Sequence, residues 1–217
     1  MIKSKALRTY NVNSIPLHQL TITGKADSPF WEKANILSYF HSPWEAIKDT
    51  ETKFKALCDG DSLYFCFEVL DDTIHIDETD DSFHSINVSD RVELFFRSNA
   101  SLNPYYCLEI DPTSRIMDFK AYPNKNFDFN WNWPHEGLLV NSSFNPQGFC
   151  VEGKISIASL KELNLIHDGK IETGICRAKY YKTKKNDFEP IWLTWINPKT
   201  ETPNFHISSS FGVLKLN

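Results

Sequence analysis

The sequence predicts an all-β protein, an antiparallel β-sandwich of the jelly-roll type with one short helical turn. Roughly a dozen short runs alternate apolar and polar residues with the period of two that β-strands require. Turns rich in Gly, Pro, Asn and Asp separate these runs at regular intervals, as in β-sandwiches. With 217 residues, of which 41% are apolar, the chain is long enough for one domain with a sizeable core.

The N-terminal part of the chain predicts a leader and the first edge of the sandwich. Residues 1–14 are expected to form a loose leader, so the single domain spans residues 15–217. Residues 17–22 resemble an edge strand and end at the turn-forming residues 23–29. Residues 30–34 then predict one helical turn that places Trp31 on the core.

A hairpin is predicted around Asp59 and Gly60. An Asp-Gly pair between alternating apolar residues is a strong signal for a tight turn, here joining residues 53–58 to residues 62–69. Because strand side chains alternate, the odd-numbered residues from Leu63 to Val69 are expected to face the core.

The strand at residues 91–97 is the centre of the predicted sheet. Its even-numbered residues are apolar, whereas Arg91 and Glu93 stand together on the opposite face. The next strand, residues 105–111, places Glu109 on its own non-core face. Since consecutive strands usually pair, we expect Glu109 to lie near Arg91 and Glu93. The acid and base on one face indicate either a recognition site or an ordinary pair of opposite charges.

An acidic loop at residues 71–81 precedes this strand. Hard cations such as calcium prefer clustered carboxylate and carbonyl oxygens, which makes Asp77, Asp80 and Asp81 candidate calcium ligands. The loop lacks the spacing of an EF-hand, and a solvated acidic loop is the alternative.

Residues 123–136 form the most unusual stretch of the sequence. Phe127, Phe129, Trp131 and Trp133 alternate with Asp and Asn until Pro134 ends the run. Aromatic faces beside amide and carboxylate groups suit a sugar, whose C–H faces stack while its hydroxyls need donors and acceptors. The alternative is that these rings cap one end of the sandwich.

The remaining elements complete the predicted sandwich. A hairpin joins residues 138–140 to residues 149–157 through a turn at residues 145–148. A helical turn is predicted next, at residues 159–163, with Ser156 or Ser159 as its N-terminal cap. Residues 171–181 predict a strand with Arg177 on the same side as Ile175 and Lys179. Strands at residues 190–195 and 211–216 close the chain.

Composition excludes several classes of function. The chain has 23 basic and 28 acidic residues and no concentrated basic patch, so a nucleic-acid partner is not expected. No apolar run is long enough to span a membrane, and the first residues do not resemble a signal peptide, which predicts a cytoplasmic protein or one whose leader has been removed. The five cysteines are widely spaced and are interpreted as reduced packing residues.

The order of these features resembles the family 9 carbohydrate-binding modules and their DOMON-like relatives. The resemblance runs from about residue 15 to the end of the chain. It rests on residues 30–34 (FWEKA), 61–65 (DSLYF), 89–95 (SDRVELF), 105–110 (YYCLEI), 203–206 (PNFH) and 211–214 (FGVL). It implies a β-sandwich that binds a sugar, in some members the reducing end of a polysaccharide between two tryptophans, often with structural calcium. Just before Ser89, where better-known members carry a stacking Trp, this sequence has the region of Asn87.

We therefore expect a non-catalytic domain that binds an oligosaccharide or polysaccharide. Charged side chains supply donors and acceptors for sugar hydroxyls, and tryptophan rings supply stacking surfaces. The candidate ligand-binding residues are Arg91, Glu93, Glu109, Trp131, Trp133, Arg177 and Trp195.

Two alternative functions stay open. Glu93 and Glu109 are a carboxylate pair of the kind that glycoside hydrolases use, although Arg91 is expected to hold the neighbouring carboxylate ionised. The DOMON-like resemblance also implies haem or another cofactor, with Met117 or His206 as a candidate axial ligand. The sequence contains no Gly-x-Ser-x-Gly, His-Glu-x-x-His or phosphate-binding loop.

Overall fold

A computed structural model describes residues 7–46, 51–134 and 136–217. These residues form thirteen strands, two short α-helices and three 3₁₀ turns. The strands are β1 Thr9–Ser14, β2 Glu51–Cys58, β3 Ser62–Leu70, β4 Arg91–Arg97, β5 Tyr105–Ile110, β6 Ile116–Tyr122, β7 Asn126–Asp128, β8 Leu138–Asn145, β9 Gly148–Ser156, β10 Ile166–His167, β11 Lys170–Lys182, β12 Phe188–Thr194 and β13 Gly212–Leu216. The helices are α1 Phe83–Asn87 and α2 Ile157–Glu162, and the 3₁₀ turns are Pro29–Lys33, Pro123–Lys125 and Ser208–Ser210. The all-β fold class is confirmed.

The strands form two sheets that share β1. Sheet A has the order β7-β6-β5-β4-β11-β13-β1, with β10 and β12 also pairing with β11, and sheet B has the order β1-β2-β3-β9-β8. Most neighbours are antiparallel, whereas β1 pairs in parallel with β13 through residues 9–12 and with β2 through residues 13–14. The first strand therefore joins the two sheets.

The main hydrophobic core lies between the sheets. Val92, Leu94 and Phe96 of β4 pack there with Phe65 and Phe67 of β3, so the predicted alternation of both strands is confirmed. A second apolar cluster, which includes Phe95 and Phe119, lies on the opposite, outer face of sheet A. Sheet A is thus apolar on both faces, and its outer face carries the pocket described below.

The N-terminal residues differ from the prediction. Residues 9–14 are paired strand rather than a loose leader, and residues 1–6 lie outside the described part of the chain. Residues 17–22 are a loop, because their apolar side chains Leu20 and Ile22 pack beside Trp31 over the outer face of sheet B. Directly after this loop, the amides of residues 23–25 donate to the Glu152 side chain rather than to a neighbouring strand.

Several local predictions are confirmed. Asp59 and Gly60 join β2 to β3, and Trp31 is only 2% exposed in its 3₁₀ turn. Ser156 caps α2, whose first residue is Ile157.

Candidate functional site

The outer face of sheet A carries a pocket with a volume of about 600 Å³. Its floor is formed by β4, β5 and β6, and its walls come from α1, the segment after β6, β12 and residues 203–206. A volume of several hundred cubic ångströms is typical of small-molecule sites.

Three buried charged side chains form part of the floor. Glu93 and Glu109 lie directly opposite each other in the β4–β5 pair, which places both carboxylates beside Arg91. Arg91 Nε donates a hydrogen bond to Glu109 Oε2 at 2.6 Å and lies 3.0 Å from Glu93 Oε1. We call Arg91, Glu93 and Glu109 the charged triad. The sequence-based expectation that these three side chains lie together is confirmed.

The rest of the Arg91 guanidinium is held by α1 and β12. Nη1 donates to the carbonyl oxygen of Asn87 at 2.6 Å, and the guanidinium carbon lies 5.2 Å from the centre of the Trp192 ring. The register explains the second contact. Ala178 of β11 pairs with both Arg91 and Trp192, so its small side chain leaves room for the two larger groups to meet above it.

Burial dominates the electrostatics of the triad. It raises the pKa of Glu93 to about 8, with the charge of Glu109 adding to the shift and Arg91 opposing it. Burial also raises the pKa of Glu109. Burial acts to lower the pKa of Arg91, but the charges of Glu109 and Glu93 raise it. The expectation that Arg91 holds its neighbour ionised therefore fails for Glu93, because desolvation outweighs the attraction.

Glu93 lines the pocket and carries one carboxyl oxygen that accepts no hydrogen bond from the described part of the chain. Its Oε1 is buried, and it has no hydrogen-bond partner among the described residues because the Arg91 Nε proton points to Glu109. A buried polar atom without a partner is costly. A hydroxyl of a bound molecule would satisfy it.

Aromatic rings line the pocket on two sides of the triad. Phe205 lies 5.7 Å from Trp192 on one side. On the other side, the ring centre of Phe129 lies 4.9 Å from that of Phe119, 5.8 Å from that of Phe127 and 5.9 Å from that of Phe83. These separations are typical of packed aromatic pairs.

Met117 and His206, the two candidate axial ligands, both line this pocket. His206 Nδ1 lies 3.0 Å from the Tyr105 hydroxyl, and the imidazole stacks on Phe95. Burial, with the charges of Lys125 and Arg91, lowers the pKa of His206 to about 4, so the imidazole is neutral at pH 7.

The predicted stacking tryptophans lie elsewhere. Trp133 and Trp195 are 5% and 3% exposed and belong to the core between the sheets. Trp131 is half-buried and packs on Tyr106, which also belongs to that core. The alternating aromatic run is divided, since Phe127 and Phe129 line the pocket while the two tryptophans turn inward.

Arg177 is separated from the triad by the sheet itself. It faces the space between the sheets, where it is fully buried and pairs with Asp71. Lys179 lies 2.9 Å from Asp71 and 3.2 Å from Asp90 in the same cluster. This second charged cluster lies on the inner side of β11.

The candidate calcium ligands bind their own loop. Asp77 Oδ1 accepts from the amide of Thr79, and Asp80 Oδ1 accepts from the amide of Ser82. Asp81 is exposed and lies 3.8 Å from Arg115. Within the described ranges, no group of three or more His, Cys, Asp or Glu side chains is placed to hold a metal ion.

Sequence reasoning does not identify Trp192, Phe205 and Phe83 as pocket residues, whereas the resemblance points to the region of Asn87, which lines the pocket. The sequence predicts Trp192 only as part of a strand, because its position above Arg91 depends on the pairing of β12 with β11. All four residues 203–206 line the pocket, and of these the sequence points only to His206, as a candidate axial ligand.

Comparison with known proteins identifies the family. Residues 22–217 match the family described as carbohydrate family 9 binding domain-like. The chain belongs to this family. The resemblance noted in the sequence is thereby confirmed for this family 9 domain. No curated protein matches it.

Solved structures share its fold. A protein of Bacteroides uniformis ATCC 8492, whose assignment as carbohydrate-binding is provisional, is 14% identical with a TM-score of 0.75, over 98% of this chain and all of that one. A family 9 carbohydrate-binding module of Caldicellulosiruptor kristjanssonii, solved with glucose, is 17% identical with a TM-score of 0.60, over 97% and 96% of the two chains. A family 9 carbohydrate-binding module of the same organism, solved with cellotriose, is 17% identical with a TM-score of 0.61, over 96% and 93% of the two chains.

None of the helices in the described part of the chain is both long enough and apolar enough to cross a membrane.

Proposed function

We propose that this family 9 domain binds a carbohydrate, without chemical change, in the pocket on the outer face of sheet A. The observation that carries the proposal is the charged triad on the floor of an aromatic pocket. Membership of the family and the sugar complexes of the Caldicellulosiruptor kristjanssonii module support it.

The triad offers what sugar hydroxyls require. A hydroxyl is both a donor and an acceptor, so a pair of hydroxyls can be held by a carboxylate and a guanidinium together. Glu93 and Arg91 both line the pocket. Among the described residues, Glu93 Oε1 accepts no hydrogen bond, and Arg91 Nη2 lies 3.4 Å from Asn87 Oδ1. Hydrogen bonds to charged groups are stronger than those between neutral groups.

Trp192 is the proposed stacking ring. It is partly exposed, lines the pocket and is anchored by Arg91 and Phe205. A sugar placed above the triad would present its C–H face to this ring, as the amphipathic character of aromatic side chains favours.

Isothermal titration calorimetry with glucose, cellotriose and a panel of soluble polysaccharides tests the proposal. The Trp192→Ala variant should bind the best ligand at least about tenfold more weakly than the wild type. Trp131→Ala is the matched control, because Trp131 lies outside the pocket. If Trp131→Ala lost binding while Trp192→Ala kept it, the sugar would bind at Trp131 and outside the proposed pocket. A lack of binding by the wild type across the panel would refute the proposal.

A second candidate function is glycoside hydrolysis by Glu93 and Glu109. One observation favours it, the raised pKa of Glu93 beside a second carboxylate, since a general acid must keep its proton near neutral pH. Release of nitrophenol from aryl glycosides, lost in Glu93→Gln, would establish this activity. Absence of turnover by a protein that binds the same glycosides would exclude it for those substrates.

A cofactor is a further alternative that rests on Met117 and His206 in the same pocket. A visible absorption band in the purified protein that disappears in His206→Ala would support haem. Structural calcium at Asp77, Asp80 and Asp81 stays a prediction from the sequence.

A further inference from the structure

The pocket changes from polar to apolar along the sheet. Glu93, Glu109 and Met117 lie side by side in one row across β4, β5 and β6. The polar part of the floor therefore ends at β5. Beyond it, the surface of β6 and β7 is built from Met117, Phe119 and Phe127.

The apolar part is too wide for the sugar ring alone. Neighbouring strands lie about 5 Å apart, so the apolar floor extends about 10 Å beyond the triad. A single sugar ring held by the triad and Trp192 fills only part of the 600 Å³ cavity. The remaining space is bounded by Phe83, Phe119, Phe127 and Phe129, whose rings contact one another.

The lining here is mainly aromatic, although the polar side chains His84, Lys125 and His206 also line the pocket and the His206 ring packs on Phe127. Such a lining offers few hydrogen-bond partners to further hydroxyls. A hydroxyl moved from water into such a space loses its hydrogen bonds, whereas an apolar group gains from burial there. Phe129 is 46% exposed and Phe83 is partly exposed, so this apolar surface is available to a ligand.

We propose that the pocket selects sugars that carry an aromatic or other apolar substituent, with the sugar on the triad and the substituent against Phe119, Phe127 and Phe129. This inference rests on the proposed carbohydrate binding and specifies its ligand class. The substituent is a glycosidic aryl group or an acyl ester, both of which join an apolar group to a polar ring.

Calorimetry with matched sugars tests the inference. Glucose, galactose and mannose are each titrated as the free sugar, the methyl glycoside, the phenyl glycoside and the 6-O-benzoyl ester, with phenol as a separate probe. For at least one sugar, the phenyl or benzoyl form should bind at least about tenfold more tightly than its methyl or free form, since apolar groups buried in a pocket give gains of this order. Phe129→Ala should remove the gain, so that in this variant the substituted and unsubstituted forms of the same sugar bind with affinities within about twofold of each other.

Phe144→Ala is the matched control, because Phe144 is a comparably exposed phenylalanine on β8, outside the pocket. Equal affinities of substituted and unsubstituted sugars would overturn the inference and leave carbohydrate binding intact. A gain that survives Phe129→Ala, or phenol binding as tightly as the phenyl glycosides, would also overturn it. Failure of every form of every sugar to bind the wild type would overturn both proposals.

Discussion

Removing the charge of Arg91 should destabilise the domain strongly, whereas removing the whole charged triad should not. In Arg91→Met, the carboxyl groups of Glu93 and Glu109, at 1% and 4% exposure, lose the guanidinium beside them, so Glu109 can ionise only as a buried charge without a partner. Breaking a buried ion pair in this way costs about 3–5 kcal/mol. In the triple variant Arg91→Met, Glu93→Leu, Glu109→Leu, no buried charge is left unpaired. Such apolar replacements are neutral or stabilising by roughly 1–4 kcal/mol.

Urea unfolding followed by circular dichroism measures both effects, with the midpoint and slope analysed together. We expect the order of stability to be Arg91→Met below wild type, and the triple variant equal to or above wild type. The triple variant should bind no sugar, because the groups that recognise hydroxyls are gone. This combination would show that the triad is present for binding rather than for stability.

The control is the second charged cluster on the inner side of β11. Lys179→Met removes the lysine that lies beside Asp71 and Asp90. Asp71 keeps Arg177 as a partner, whereas Asp90 loses its ion pair, so this variant should be destabilised. It should leave sugar affinity unchanged, since Lys179 lies on the opposite face of the sheet from the triad. A triple variant that binds sugar as well as wild type, or that is less stable than Arg91→Met, would refute the reasoning.

Three further predictions concern pH and the fold. Because the pKa of Glu93 is raised, the folded state keeps a proton that the unfolded chain releases. The free energy of unfolding should therefore fall as pH rises from about 4.5 to about 8, by at most about 1.4 kcal/mol per pH unit. Urea midpoints across this range should show a shallower fall in Glu93→Gln, and an unchanged slope relative to the exposed control Glu162→Gln would contradict the assignment. A Cβ at Gly148 would lie 1.9 Å from the carbonyl oxygen of Val69. Gly148→Ala should therefore lower the free energy of unfolding by at least about 2 kcal/mol. A thermal melt like that of wild type would contradict this prediction and show that the turn adapts. Glu152→Ala leaves Trp31 Nε1 and the amides of residues 23–25 without their buried acceptor. It should lower the free energy of unfolding by about 3 kcal/mol and increase proteolysis of the loop at residues 23–25. An unaltered digestion pattern would contradict the structural role of Glu152.

The charged triad could be predicted from the sequence because its causes are local. Alternation within β4 sets the side on which Arg91 and Glu93 stand, and the adjacency of consecutive strands brings Glu109 beside them. The hairpin at Asp59 and Gly60 was predictable for the same reason, since the turn residues themselves fix the pairing.

The aromatic part of the site depends on contacts that no local pattern encodes. Trp192 reaches Arg91 only because β12 pairs with β11 in one particular register, with Ala178 between them. The run from Phe127 to Trp133 has one alternating pattern, yet its strand ends at Asp128 and the tryptophans then pack between the sheets. Residues 9–14 form a strand through parallel pairing with the last strand of the chain, which sequence spacing does not reveal.

The six tryptophan indole N–H signals in a ¹H–¹⁵N correlation spectrum test the location of the site most directly. The protein is titrated with glucose, cellotriose and the substituted sugars, after the signals have been assigned with single Trp→Phe variants. We predict a saturable shift of the Trp192 signal, with the signals of Trp31, Trp133 and Trp195 unchanged, because those three rings are buried away from the pocket. Saturable shifts of Trp133 or Trp195 without a shift of Trp192, or no shift of any indole with any sugar, would contradict the assignment of this pocket as the carbohydrate-binding site.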